Sequence, residues 1–148
     1  MYSGFIRVGN TSKEIHYVFL ESMSATNATD PLIVWFNGGP GCSSMLGFLQ
    51  ETGPYVLEDN ATEYTPNNWT WNKEANVLYI EQPAGVGYST CDISARPQDC
   101  NHTDLSSSED NLQVLLAWFD RFNGTYKKNQ VFIAGESYAG VYVPYLSW

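Results

Sequence analysis

Three strand-length apolar runs constrain the fold of this chain more than any other feature. They are PLIVWF, the apolar part of ANVLYIEQP, and VFIAG, and each is followed at once by polar or glycine-rich residues. Continuous rather than alternating apolarity is typical of strands that are covered on both faces of a sheet. The runs therefore predict parallel strands whose carboxyl ends carry loops, which is where α/β sheets hold their functional groups.

The segments around these runs complete the pattern. SGFIRV and EIHYVFLES alternate like two antiparallel strands joined by the polar turn GNTSK. MLGFLQE predicts a short helix that Gly53 and Pro54 stop, and SYAGVYVPYLSW predicts the start of a helix that Pro144 bends. The chain is thus predicted to be α/β, with an antiparallel hairpin that leads into a parallel sheet with flanking helices.

A longer helix is predicted over SSSEDNLQVLLAWFDRF. Serines that can cap a helix, followed by acidic residues, stand at its beginning. Spacing of apolar residues at three and four positions predicts one buried face. That face would consist of Leu112, Leu115, Leu116 and Phe119.

Length, charge and hydropathy exclude several function classes. With 148 residues, 43% of them hydrophobic, the chain suits one globular domain or part of a larger one. The formal net charge of −9, without a basic cluster, argues against nucleic-acid binding. No apolar run has the roughly 18 residues that a membrane span needs, and MYSGFIRVGN lacks the features of a signal peptide.

Asparagine usage points to the secretory pathway. Six of the twelve asparagines lie in Asn-x-Ser/Thr sequons, which are the acceptor sites for N-glycosylation. We therefore expect a lysosomal, vacuolar or extracellular glycoprotein, although loops are also rich in these residues for reasons of turn geometry. The candidate acceptors are Asn10, Asn27, Asn60, Asn68, Asn101 and Asn123.

The chain has three cysteines, so they cannot all form disulfides with one another. Cys91 and Cys100 lie in one polar loop, CDISARPQDC, where a local disulfide is plausible in an oxidising compartment. Cys42 is then left over. It is either a free buried thiol or a cysteine whose partner lies outside this chain.

Ser137 is the candidate nucleophile. GESYAG stands between a predicted strand and a predicted helix and is similar to the G-x-S-x-G turn of α/β-hydrolases, in which small neighbours allow a strained serine. Gly135 satisfies the first small position, and Ala139 replaces the second glycine. An isolated match of this kind also fits a strand-to-helix turn whose serine only caps the helix. The glycine turn NGGPG, after another strand, is either a plain tight turn or a loop whose amides face Ser137 as an oxyanion hole.

Three longer motifs make the resemblance specific. The strings DPLIVWFNGGPGCSSMLGFLQETGP, NNWTWNKEANVLYIEQPAGVGYS and VFIAGESYAGVYVP, in this order and spacing, resemble the serine carboxypeptidase family. YSGFI and YVFLES also resemble the opening hairpin of that family. The resemblance covers essentially the whole chain and implies the amino-terminal part of one α/β-hydrolase domain that ends just after the nucleophile turn.

The resemblance implies a role for several residues. Ser137 corresponds to the nucleophile that is acylated, and Gly39 and Tyr138 to the oxyanion-hole amides. The group that binds the carboxylate of the substrate's C-terminus corresponds to Asn37, the Gly38 amide, Glu51 and Glu136. Leu46 and Gln50 fall near the pocket for the leaving residue.

Other positions acquire structural roles from the same resemblance. Trp69, Asn72 and the segment from Asn76 to Gln82 are expected to pack in the interior. Cys42 corresponds to a cysteine that pairs with one much later in the family's chains.

The presence of Glu51 would account for an acid at position 136, next to the nucleophile. An ionised Glu136 beside the nucleophile would oppose the negative charge of a tetrahedral intermediate. If Glu51 lies against it, the two carboxyls share a proton, and the protonated form donates a hydrogen bond to the C-terminal carboxylate of a peptide. The pair would then bind free peptide C-termini and favour acidic pH.

The base that activates Ser137 is missing from the pattern. The family uses a histidine oriented by an aspartate, both C-terminal to the serine, and only eleven residues follow Ser137 here. His16 and His102 match neither position and are expected to be ordinary surface or half-buried histidines. We therefore expect a fragment that is inactive alone, with an open sheet edge, and that needs the remaining part of the enzyme.

Two other functions stay open at this point. A serine carboxypeptidase-like acyltransferase would use the same scaffold, although Glu136 favours a peptidase, and a truncated homologue could act as a binding protein. No metal or nucleotide cofactor is predicted, because the sequence has no cluster of metal ligands and NGGPG is not a G-x-G-x-x-G fingerprint.

Overall fold

A computed structural model of the chain describes residues 1–57 and 62–148. Within these residues the chain forms a five-stranded sheet, a two-stranded sheet and two α-helices. The strands are β1 (Tyr2–Arg7), β2 (Glu14–Leu20), β3 (Leu32–Phe36), β4 (Tyr55–Val56), β5 (Thr65–Pro66), β6 (Asn76–Ile80) and β7 (Val131–Gly135). The helices are α1 (Asp104–Arg121) and α2 (Ala139–Ser147), with a π-helical turn at Gly47–Glu51 and 3₁₀ turns at Trp71–Lys73 and Pro97–Cys100.

The large sheet has the order β1-β2-β6-β3-β7 and confirms the predicted α/β class. β1 pairs antiparallel with β2, and β2 with β6, whereas β3 lies parallel to both β6 and β7. Because these three parallel strands point the same way, their carboxyl ends meet at one edge of the sheet. The loops after Phe36, Ile80 and Gly135 are therefore neighbours.

Helix α1 is where the sequence prediction was partly wrong. Leu115 and Phe119 are buried as predicted, but Leu112 and Leu116 are about half exposed. The buried face instead runs through Ser107, Asn111, Val114 and Trp118, so it includes polar residues that an apolar pattern does not detect. The helix also begins earlier than predicted, because Thr103 caps it in a reciprocal arrangement with Ser106.

Both faces of the sheet carry a hydrophobic core. Helices α1 and α2 cover the larger one, which includes Phe19, Phe36 and Trp118. The smaller core on the other face contains Trp35 and Tyr79, with the predicted short helix packed over it through Phe48. Asn72 and the segment from Asn76 to Gln82 are buried as expected, whereas Trp69 is 87% exposed and does not pack in the interior.

Strand β7 lies at the edge of the sheet, next to β3 only. None of its residues is fully buried, and half of the Phe132 surface is exposed. The predicted open, apolar edge is therefore present in this chain. It ends at Gly135, where the nucleophile turn begins.

Candidate active site

Ser137 occupies a strained turn between β7 and α2. Its φ angle is +55°, a left-handed conformation that costs a non-glycine residue about 1–3 kcal/mol. A Cβ atom on Gly135 would lie 2.3 Å from the Phe36 carbonyl oxygen and 2.6 Å from Cβ of Ala139, so only glycine fits there. Alanine fits at 139 because Gly135 leaves room for its methyl group. The strained, exposed serine matches the predicted nucleophile turn.

The glycine loop after β3 lies directly against this turn. A Cβ atom on Gly38 would lie 2.4 Å from the Tyr138 amide nitrogen, so a side chain at 38 would separate the two loops. Gly39 is exposed and has φ +110°, a conformation that other residues rarely adopt. Within the described part of the chain, neither the Gly39 nor the Tyr138 amide donates a hydrogen bond. Two free amides therefore lie beside Ser137, an arrangement suited to a developing oxyanion.

Asn37 connects the glycine loop to Glu136. Its side chain is buried, and its Oδ1 accepts hydrogen bonds from Trp35 Nε1 at 2.7 Å and the Gly47 amide at 3.0 Å. Because two N–H groups fix that oxygen, Nδ2 must face the other way. It donates to Glu136 Oε1 at 2.9 Å.

Glu51 completes this polar group. Burial, and then the negative charge of Glu136, raise the pKa of the Glu51 carboxyl above its ordinary value, while a hydrogen bond from Asn37 opposes the shift. The predicted pair of carboxyls is therefore assembled around Asn37. Such a pair holds a proton more readily than an isolated glutamate and can donate it in a hydrogen bond to an anionic ligand.

The other predicted site residues stand apart from this group. Leu46 and Gln50 are exposed on the helical segment that follows the glycine loop. His102 is half-buried, and its Nε2 lies 2.9 Å from the Ala84 carbonyl oxygen. His16 is only 6% exposed and contacts Ser3 and Glu81, so the expectation of an ordinary surface or half-buried histidine was wrong for it.

Comparison with known proteins identifies the family. The serine carboxypeptidase family model matches residues 1–148. The chain belongs to the serine carboxypeptidase family. It is 43% identical to the lysosomal protective protein of Mus musculus, covering 99% of this chain and 29% of that protein. It is 41% identical to serine carboxypeptidase-like 36 of Arabidopsis thaliana, covering 99% of this chain and 30% of the relative.

A solved carboxypeptidase structure has the same fold. The crystal structure of Kex1(delta)p, a prohormone-processing carboxypeptidase from Saccharomyces cerevisiae, superposes with a TM-score of 0.85 at 26% identity. The match covers 99% of this chain and 32% of the yeast chain. The serine carboxypeptidase chain described here thus spans about 30% of the length of its curated relatives. The predicted incomplete α/β-hydrolase architecture is confirmed.

The cysteines of this carboxypeptidase-family chain are placed as the sequence predicted, with one correction. Cys91 and Cys100 form a disulfide. Cys42 is exposed, so the alternative of a free buried thiol was wrong. Its pairing with a cysteine outside the chain stays a prediction.

The glycosylation candidates differ in exposure. Asn27 is half-buried, and Asn60 lies outside the described residues. The exposed acceptors are Asn10, Asn68, Asn101 and Asn123. Their modification stays a prediction.

Two residues near the site were missed as functional candidates. Gly47 packs so closely that a Cβ there would lie 2.2 Å from Trp35 Nε1, which is how its amide reaches Asn37. Glu81 is completely buried at the end of β6 and contacts the glycine loop through Ser43. The only sequence signal for Glu81 was an acidic residue directly after a buried strand. Among the described residues no His, Cys, Asp and Glu cluster suits a metal, and no helix could cross a membrane.

Proposed function

We propose that this chain is the nucleophile-bearing part of a serine-type carboxypeptidase, which removes C-terminal residues from peptides and proteins. The observation that carries the proposal is the group formed by Asn37, Glu51 and Glu136 beside a strained, exposed Ser137. A generic esterase needs the serine and the amides but has no use for two carboxyls close to a developing anion. A carboxypeptidase does, because it must recognise a free carboxylate.

The chemistry assigns each group a role. Ser137 Oγ attacks the carbonyl carbon of the last peptide bond, and the amides of Gly39 and Tyr138 stabilise the oxyanion of the tetrahedral intermediate. Collapse of that intermediate releases the C-terminal residue as a free amino acid and leaves an ester on Ser137. Water then hydrolyses the ester and regenerates the enzyme.

The C-terminal carboxylate of the peptide lies against the other group. The Gly38 amide and the proton shared by Glu51 and Glu136 donate hydrogen bonds to it, and Asn37 Nδ2 turns to it one of the N–H groups that otherwise contact the two carboxyls. Because an ionised pair would repel the substrate, binding requires that one carboxyl keeps its proton. Leu46 and Gln50 would line the pocket for the leaving residue.

The general base comes from outside these 148 residues. Ser137 Oγ needs a base to accept its proton, but His16 and His102 are engaged with Glu81 and the Ala84 carbonyl. The relatives are more than three times as long, since the chain spans about 30% of them. We infer that their further segment supplies a histidine and an aspartate, and that the 148-residue chain alone is inactive.

The test compares the full-length enzyme with the 148-residue chain. The substrate is an N-blocked dipeptide with a free C-terminus, and its C-terminal amide is the matched control. We expect the full-length enzyme to cleave the acid far faster than the amide and to react with a fluorophosphonate at Ser137. The Ser137→Ala variant should lose both the cleavage and the reaction with the fluorophosphonate. Equal cleavage of acid and amide would refute carboxylate recognition, and turnover by the 148-residue chain would refute the external base.

The same assay separates the two alternative functions. Adding an acceptor alcohol with an acyl ester as donor would give transfer products if the enzyme is an acyltransferase. A full-length protein that neither hydrolyses nor transfers, and that does not react with the fluorophosphonate, would support a binding protein instead.

We also propose a location in the secretory pathway, in a lysosome, a vacuole or outside the cell. Four of the sequon asparagines are exposed, and the Cys91–Cys100 disulfide suits an oxidising compartment. A relative at 43% identity is called the lysosomal protective protein. Removal of N-glycans from the natural protein should lower its apparent mass, and an unchanged mass would contradict glycosylation.

A further inference from the structure

Glu81 is a fully buried acid that contacts three separate segments. It follows β6, and no part of it is exposed. Its Oε2 lies 2.9 Å from His16 Nδ1 on β2 and accepts the Tyr88 amide at 2.9 Å, while its Oε1 accepts a hydrogen bond from Ser43 Oγ. A Cβ on Gly87, which has φ +56°, would overlap this carboxylate. The residues around Glu81 are therefore shaped to enclose it.

His16 is held in a single orientation by this arrangement. Its Nε2 lies 2.9 Å from Ser3 Oγ on β1, opposite the nitrogen that faces Glu81. The rings of Phe5 and Tyr88 contact it on either side at centroid distances of 5.2 Å. The hairpin of β1 and β2 thus supplies a fixed partner for the buried acid.

Ser43 connects this pair to the glycine loop. The loop turns on itself through the Cys42 amide, which donates to the Gly38 carbonyl at 3.1 Å, and Ser43 is the next residue. Ser44 then donates from Oγ to the Ile80 carbonyl at 2.7 Å and accepts the Asn37 amide at 3.1 Å. Two consecutive serines therefore bind the loop to two consecutive residues at the end of β6.

We propose that Glu81 is a positioning residue for the oxyanion hole. Through Ser43 it holds the backbone of Gly38 and Gly39 against the Tyr138 amide, and His16 holds Glu81 in turn. This rests on the proposed function, in which those amides stabilise the oxyanion. Oxyanion donors must be held within about 0.5 Å of their working position, so a loop freed at Ser43 loses rate rather than substrate affinity.

The decisive variant is Ser43→Ala in the full-length enzyme, and Ser89→Ala is its control. Ser89 is buried, whereas Ser43 is partly exposed. The Ser89 Oγ donates to the Glu81 backbone carbonyl and accepts the His16 amide, and among the described residues it makes no hydrogen bond to the glycine loop. We expect Ser43→Ala to lower kcat for the blocked dipeptide by about 10- to 100-fold with KM within twofold. Ser89→Ala should keep kcat within threefold, and Ser43→Thr should recover most of the lost rate.

A second variant tests whether Glu81 acts through Ser43. Glu81→Gln should lower kcat, but in the Ser43→Ala background it should cause little further loss, because the connection is already broken. Fully multiplicative losses would overturn the proposal. So would equal kcat for Ser43→Ala and Ser89→Ala, or an effect of Ser43→Ala that lies in KM alone.

Hydrogen exchange tests the positioning role of Glu81 and Ser43 independently of the proposed function. In full-length Ser43→Ala the amides of Gly41 and Cys42, which donate hydrogen bonds to the Tyr142 hydroxyl and the Gly38 carbonyl, should exchange faster than in the parent and in Ser89→Ala, whether or not the protein cleaves peptides. Unchanged exchange would refute the positioning role. Faster exchange in a parent protein that neither cleaves peptides nor reacts with a fluorophosphonate would refute the proposed function but uphold the role of Glu81 in holding the loop.

Discussion

The polar groups that follow β7 and β6, at the same edge of the sheet, differ in their exposure and in their hydrogen bonding. After β7, Glu136 and Ser137 are exposed, the serine is strained, and the neighbouring Tyr138 amide has no acceptor in the described residues. After β6, Glu81 is completely buried, and both its carboxylate oxygens have partners. The end of β7 leaves Ser137 and the Tyr138 amide free, whereas the end of β6 engages both carboxylate oxygens of Glu81.

The residues after β7 are suited to binding a ligand, whereas Glu81 after β6 holds neighbouring segments of the protein in place. A buried charge without partners costs several kcal/mol, so Glu81 is tolerated only because its partners surround it. Ser137, after β7, is exposed and can stay unpaired at low cost until a ligand arrives. Changes after β6 should therefore affect stability most, and changes after β7 should affect chemistry most.

The largest expected effect is on stability, in the variant His16→Phe. It leaves Glu81 buried without the histidine that lies 2.9 Å from its Oε2, so the free energy of unfolding of the full-length enzyme should fall by about 3–5 kcal/mol. Urea unfolding measures it. His102→Phe, at a half-buried histidine that contacts only a backbone carbonyl, is the control and should cost about 1 kcal/mol. Similar losses in both would show that Glu81 does not need His16.

The next largest effect is on the rate of reaction, in Gly38→Ala. The added methyl group would lie 2.4 Å from the Tyr138 amide nitrogen and would separate the two oxyanion donors. We expect kcat to fall by about 100- to 1000-fold, as when an oxyanion-hole donor is removed. Gly140→Ala, where the methyl group meets open space, should leave kcat within twofold. Steady-state kinetics of the full-length enzyme decide between them.

The pH dependence of substrate binding is a smaller effect. Because the pKa of Glu51 is raised in the folded protein, it keeps its proton into a higher pH range than an isolated glutamate. As pH rises through that pKa, both carboxyls become negative, and KM for a peptide with a free C-terminus should increase. Glu51→Gln has no proton to lose, so its KM should stay flat over the same range.

A hydrogen bond to a charged group contributes about 1.5–3 kcal/mol, so KM of the parent should rise about tenfold or more over the transition. Glu109→Gln, on the exposed side of α1, should behave like the parent. A parent KM that does not change with pH would argue against proton sharing by Glu51 and Glu136.

The raised pKa of Glu51 also predicts a second, weaker effect, on the pH dependence of folding stability. Since the folded state binds the Glu51 proton more tightly than the unfolded chain, folding stability from this group is present at low pH and falls as pH rises past its ordinary value of about 4.5. The free energy of unfolding of Glu51→Gln should therefore increase relative to that of the parent as pH rises.

The smallest effect is a gain in stability from Ser137→Gly. Glycine adopts φ +55° without strain, which offsets its greater freedom in the unfolded chain, so the free energy of unfolding should rise by up to about 1 kcal/mol. Ser94→Gly, at an exposed serine without positive φ, should lower it by about 0.5 kcal/mol. A loss of stability in Ser137→Gly would show that the turn is not strained.

The success of the sequence predictions depended on how local the signal was. The turn around Ser137 was predicted because it rests on a motif of consecutive residues. The pairing of Glu51 with Glu136, which lie far apart in the sequence, was expected only from the resemblance to the serine carboxypeptidase family. The buried face of α1 was predicted only in part. Leu115 and Phe119 are buried as expected, but Asn111, which contacts Gln82, was missed because the periodicity of apolar residues does not detect a buried polar side chain. Trp69 was expected to pack because of the family resemblance, but it is exposed in this chain.

The sequence by itself determined the strands, their order of connection, the strained serine and the glycines that allow close approach. These follow from local chemistry, namely apolar runs, glycine conformations and residue spacing. Only the tertiary structure decided that His16, Ser43 and Glu81 form one group, because they are distant along the chain. The pairing of β2 and β3 with β6 brings them together, and no pattern of neighbouring residues encodes that contact.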